Sequence, residues 1–157
     1  MSNLEAKVSD FLAQKRIAIA GVSRTKPGAA SLIYRKLKDS GYQVFAVNPN
    51  ASTYEGDPCY PDLKSIPGGV DGAVLVTRPE LTDELVRQCA EAGVSRVWMH
   101  QSLGKAGTSV SQQAIQFCDE HSITVIAGAC PMMFCGPVDF GHKCMRWILR
   151  FTGGLPN

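Results

Sequence analysis

Two apolar patterns alternate along this chain. Short runs rich in β-branched and other apolar residues recur at 17–20, 44–47, 73–76, 96–99 and 124–127, and each predicts a strand. The segments around them carry apolar residues at helical spacing. Leu4, Val8, Phe11 and Leu12 form one stripe, opened by Ser2 with Glu5 three positions on, a capping-box pair. After the first strand, Leu32, Ile33 and Leu37 are expected to face inward, with Gly41 as the stop. A third helix carries Leu81, Leu85, Val86 and Cys89 and stops at Gly93. A fourth runs from about Ser109 to His121. The last carries Phe140, Cys144, Trp147, Ile148 and Phe151, and Gly153 and Gly154 end it. Residues 53–69 are rich in Pro and Gly and read as a loop with at most short extended pieces.

Strands alternating with helices imply a parallel sheet with right-handed crossovers. The fold expected is α/β: a Rossmann-like, doubly wound, five-stranded sheet in three layers. One domain would span 1–157, with a leading helix over about 1–15 and a helical extension over about 134–157. The loops at strand C-termini share one edge, and ligands bind there where strand order reverses. With the strands ordered third, second, first, fourth, fifth, that point lies between the first and the fourth. Gly21, Asn48, Thr77 and His100 would then line one crevice.

Composition narrows the function. The 157 residues are 45% hydrophobic and 19% charged, with a formal net charge of +2, so the strong basic field of a nucleic-acid binder is missing. No apolar run has the roughly 20 residues that span a bilayer. The N-terminus does not read as a signal peptide, and a cytoplasmic protein with no membrane partner is expected. The six cysteines then read as reduced thiols. Cys130, Cys135, His142 and Cys144 lie close in sequence, but His142 and Cys144 make a poor second pair for zinc, so no metal is expected. No Gly-x-Ser-x-Gly elbow and no paired carboxylates occur at the ligand edge, so no catalytic set emerges. A homodimer is left open.

Residues 21–28 carry the clearest chemistry. Gly21 directly after an apolar strand permits a tight turn that brings backbone N–H groups toward an anion. The helix that follows points its positive end at the same place. Ser23, Thr25 and Lys26 add hydroxyl and ammonium donors. Ser23 replaces the middle glycine of the dinucleotide fingerprint, and Pro27 after Lys26 excludes a P-loop. About 20 residues past Gly28, where an NAD site places an acid on the ribose, stands Asn48. An amide tolerates a phosphorylated ribose, and no Arg follows in 50–52 to favour NADP. Coenzyme A, with a ribose phosphate and a diphosphate, fits what remains. The alternative for 48–50 is a plain turn.

The runs IAIAGVSRTKPG, GYQVFAVNPN, DGAVLVTRPE, AGVSRVWMHQSLG and ITVIAGACPM, in this order over roughly residues 10–133, resemble the stand-alone CoA-binding proteins. Those are similar to the CoA-binding domain of the succinyl-CoA synthetase alpha subunit without its ligase part. The resemblance implies that Gly21, Ser23, Arg24 and Lys26 hold the diphosphate, with Val22 among the cofactor-binding residues. It places Asn48 and Pro49 by the adenosine, has Thr77, Arg78 and Pro79 close over the nucleotide, and turns Gln101, beside His100, toward the pantetheine arm. It does not carry over the synthetase reaction, whose histidine belongs to the ligase part. The expectation is a non-catalytic CoA- or acyl-CoA-binding sensor, carrier or partner subunit. The alternatives are an NAD(P)-dependent oxidoreductase, an enzyme acting on acyl-CoA through Cys130 or His100, and an adaptor docking through the last helix.

Overall fold

Strand β1 (Arg16–Ala20) is the axis of the sheet. It pairs in parallel with β2 (Gln43–Val47) on one side and with β5 (Gly72–Leu75) on the other. Ala20 stands level with both Val47 and Leu75, so the three strands end together on one edge. Beyond β5 come β6 (Arg96–Met99) and β7 (Thr124–Ala127), both parallel. Beyond β2 lie β4 (Asp57–Tyr60) and β3 (Thr53–Tyr54). The order is β3-β4-β2-β1-β5-β6-β7 in a computed structural model that describes residues 2–102 and 107–156.

Two expectations about the sheet are corrected here. The sheet has seven strands, because part of 53–69 extends it: β4 pairs in parallel with β2 and antiparallel with β3. The hairpin between them turns on Glu55 and Gly56, both at positive φ (48° and 84°), as a primed two-residue turn requires. The strand order also differs. β5, not β6, is the neighbour of β1, so the reversal point lies between β1 and β5.

Among the described residues, helices cover both faces of the sheet. α1 (Asn3–Leu12) and α2 (Ala29–Asp39), with the 3₁₀ turn Pro131–Met133, share one buried cluster with Ile17, Ile19 and Trp98. α3 (Pro79–Glu91) and α4 (Gln112–Glu120) share the other, with Ala18, Ala20, Leu75 and Met99. β1 and β5 are therefore buried on both faces, which is why they read as continuous apolar runs. The capping box of α1 forms as expected, Ser2 Oγ accepting from the Glu5 N–H and Glu5 from the Ser2 N–H. Phe11 meets Trp98 edge to face at 5.4 Å, and Trp98 Nε1 donates to the Gly128 carbonyl at 3.0 Å.

The inward face of α2 is Ala30, Ile33, Tyr34 and Leu37, an i, i+3, i+4, i+7 set; Leu32 falls outside it and is exposed, against expectation. α4 begins at Gln112, later than about Ser109, because Ser111 takes the N-cap and accepts from the Ala114 N–H. Part of the connection from β6 to α4, residues 103–106, lies outside the described residues. The last helix, α5 (Phe140–Thr152), is capped by Asp139 and buries none of its residues fully.

Candidate functional site

Two helices start on opposite faces of the sheet at neighbouring strand ends. α2 follows β1 and α3 follows β5, and neither has a side-chain cap. Their partly positive starts flank the reversal point, the arrangement that favours an anion. α2 has no acidic residue in its first turn, whereas α3 carries Glu80. The α2 end is therefore the more electropositive, and Arg24 and Lys26 add exposed cations beside it.

Gly21 makes the close approach between the β1 and β5 loops possible. Its φ is +100°, and a Cβ there would overlap the Val76 carbonyl oxygen and lie 2.7 Å from the Val76 carbonyl carbon. The rest of the loop is locally braced: Ser23 Oγ accepts from the Lys26 N–H at 3.0 Å. Asn48 ties this loop to the end of β2. Its Nδ2 donates to the Val22 carbonyl at 2.8 Å, and its Oδ1 accepts from the Asn50 N–H at 2.8 Å. Both ends of the amide thus serve the protein, a use the sequence reading did not assign to it.

These elements enclose a cavity of about 410 Å³. Its walls include Val22, Val47, Pro49, Pro61, Leu81 and Leu85, so it is mainly apolar, with Asn48, Glu84 and Gln88 supplying polar groups. That size and lining suit a small-molecule site. Of the residues expected to bind, Gly21, Val22, Asn48, Pro49 and Thr77 line it. Ser23, Arg24 and Lys26 lie on the loop above. Arg78 and Pro79 border a second cavity of about 420 Å³, which shares Thr77 and reaches Gly107, Thr108 and Ser109. Gln101 lines neither: it bridges to Thr108, and its N–H donates to the Ala129 carbonyl at 3.0 Å.

His100 departs from expectation. It is 3% exposed and absent from both cavity linings. Burial, with a smaller contribution from nearby His142, lowers its pKa from 6.5 to about 4. Cys130 is also buried, and desolvation pushes its thiol up to about 11. Neither group is charged at neutral pH. His142 is held by Asp139 at 2.5 Å and Cys135 lies 3.7 Å from Ser40 Oγ.

Several site residues escaped the sequence reading. Leu81 and Leu85 share one apolar pattern with Val86 and Cys89 in the sequence, yet Leu81 is 47% exposed and lines the cavity. With Gln88 they follow an i, i+4, i+7 spacing that marks a second face of α3. Thr82 and Ser109, both buried, position Thr77: Ser109 Oγ accepts from the Thr77 N–H at 2.9 Å, and Thr82 Oγ1 donates to the Ser109 carbonyl at 2.8 Å.

Residues 15–135 match the CoA binding domain family. The chain is 29% identical over 124 residues to acetate–CoA ligase (ADP-forming) II of Archaeoglobus fulgidus, covering 74% of this chain and 18% of that protein. It thus spans about a fifth of that ligase. It is 27% identical over 127 residues to the protein YneT of Bacillus subtilis, covering 80% of this chain and 90% of that one. Among solved structures, a hypothetical protein from Pyrococcus horikoshii superposes with a TM-score of 0.75 at 26% identity, over 92% of this chain and 93% of that one. With the family match spanning β1 to the turn after β7, this chain belongs to the CoA binding domain family.

Proposed function

We propose that this chain binds CoA or an acyl-CoA across the ends of β1, β2 and β5, and works as a non-catalytic sensor, carrier or partner subunit. The observation that carries this reading is the joining of an uncapped, cation-flanked helix start to an apolar cavity of about 410 Å³ by a glycine that admits no side chain. The residues present fit the cofactor. Gly21, Ser23, Arg24 and Lys26 would hold the diphosphate, and Val22, Asn48, Pro49, Leu81 and Leu85 would receive the nucleoside. Thr77, Arg78 and Pro79 would close over the nucleotide, and Gln101 would face the pantetheine arm. When bound, CoA supplies a thiol that carries acyl groups. The chain's own residues bind and orient it.

Two features favour binding over catalysis. A thiol raised to about 11 at Cys130 is a poor nucleophile at neutral pH, and an imidazole lowered to about 4 at His100 gives a weak base. An NAD(P) reading is disfavoured because Asn48, where an acid would read the ribose, is engaged by Val22 and Asn50.

The test is to denature the purified protein, identify the released small molecule by mass spectrometry, and titrate it back by calorimetry. Recovery of CoA or an acyl-CoA, rebinding 1:1 and weakened roughly ten- to hundredfold in Lys26→Glu, is the expected result. Recovery of a nicotinamide dinucleotide, or no rebinding of CoA to dialysed protein, would overturn the reading.

A further inference from the structure

Helix α5 lies beyond the stretch that matches the family and presents an apolar seam to solvent. Phe140, Trp147 and Phe151 are 82%, 63% and 73% exposed, and the Trp147 and Phe151 rings meet at a tilt of 54° with centroids 4.8 Å apart. Together with Cys144 they follow a 4-3-4 spacing, the d-a-d-a seam of a helix built to pair with another helix. Ile148, also exposed, widens the seam on one side. The opposite side of α5 is already used. Met145 and Leu149 pack on the core, and Arg146 sits over the Phe134 ring at 4.6 Å. The body that carries the seam leaves it largely uncovered, with Trp147 also bordering a pocket beside Met133 and Val138, and a second body could approach the exposed side.

From this seam we infer that the protein self-associates through α5, two copies pairing their helices antiparallel about a two-fold axis. Three observations select a second copy as the occupant. Antiparallel pairing sets the small Cys144 of one copy against Trp147 of the other, and Phe140 against Phe151, so small meets large as close packing requires. The flanking charges are partly offset. Lys143 and Arg150 share one edge of the seam, and Arg150 reaches Glu5 of α1 at 3.9 Å. In the antiparallel pair Lys143 of the other copy arrives at that edge, where Glu5 offsets one of the two cations and leaves the other to solvent. The area is adequate as well. With aromatic side chains of roughly 200 Å² each, the three rings expose about 400 Å² per copy, and pairing with Ile148 included removes up to about 1,000 Å² in total, at the lower bound for a specific interface. The dimer is accordingly a concentration-dependent one.

Cys144 provides the probe. It is partly exposed, whereas the other five cysteines are buried. The experiment combines sedimentation equilibrium of the full chain over a roughly hundredfold range of concentration with cross-linking by a short bis-maleimide. Expected are a monomer–dimer equilibrium, a cross-linked dimer that Cys144→Ser abolishes, and a monomer at every concentration for the Trp147→Glu/Phe151→Glu variant. That variant should melt where the wild type does at dilution, since both side chains are already in water. A wild type that stays monomeric throughout would overturn the inference. So would a dimer that persists in the double variant, or a monomer whose exposed Trp147 shifts its emission to the blue only on phosphatidylserine vesicles.

Discussion

The Asn48 side chain donates to the Val22 carbonyl at 2.8 Å and so fixes the glycine loop against the end of β2. Replacing it with Asp keeps the shape, removes the donor and sets a carboxylate against a carbonyl. The expected loss is about 1–3 kcal/mol of stability in urea unfolding, together with weaker CoA binding in calorimetry. Asn48→Ala escapes the repulsion but loses both side-chain bonds, to the Val22 carbonyl and from the Asn50 N–H, and should also unfold at lower urea than the wild type. If Asn48→Asp unfolds at the wild-type midpoint, the bond does not hold the loop.

Gly21 and Gly28 bound the same loop but answer to different constraints. Gly21→Ala forces a Cβ onto the Val76 carbonyl at a φ of +100°, and should cost about 3 kcal/mol or more and abolish ligand binding. Gly28 has an extended backbone, and a Cβ there meets nothing within 4 Å. Gly28→Ala should stay within about 1 kcal/mol of the wild type, the cost of a poorer N-cap. Equal melting temperatures for the two variants would contradict this account of the loop.

The layered α/β fold was legible because β1 and β5 are buried on both faces and their helices are amphipathic. The order of the strands was not. It depends on which face each crossover helix covers, and an apolar stripe records only that a face is covered. β3 and β4 were hidden for a different reason: they are short, their turn is Glu-Gly rather than Asn-Gly, and Pro58 sits inside β4. The glycine loop announced itself through Gly21 after an apolar strand. The cavity wall from α3 did not, because Leu81 and Leu85 read as core residues until the helix is placed.

Leu81 separates binding from folding. Nearly half exposed, it contributes little to the core, yet it lines the cavity. Leu81→Ala should leave the unfolding midpoint within about 0.5 kcal/mol of the wild type and weaken CoA binding roughly tenfold, as expected for one lost apolar contact. Calorimetry alongside urea unfolding checks both, and an unchanged affinity would place the nucleoside elsewhere.

His100 should dominate the loss of stability in mild acid. Its folded pKa of about 4 lies below the ordinary 6.5, because burial and His142 disfavour the imidazolium. The unfolded chain therefore takes up this proton first. The contribution is fully present above 6.5 and is lost as the pH falls toward 4, where the folded protein is protonated too. From about pH 7.5 to about pH 5 the loss amounts to roughly 2 kcal/mol at one site. Glu5, Asp57, Asp62 and Asp139, whose pKa values are lowered from 4.5 or 3.8 by hydrogen bonds to Ser2, Lys38, Ser65 and His142 in turn, act mainly below that window. In urea unfolding, His100→Gln should thus be less sensitive to pH than the wild type between those two values. A slope that survives the substitution would mean another group carries the proton.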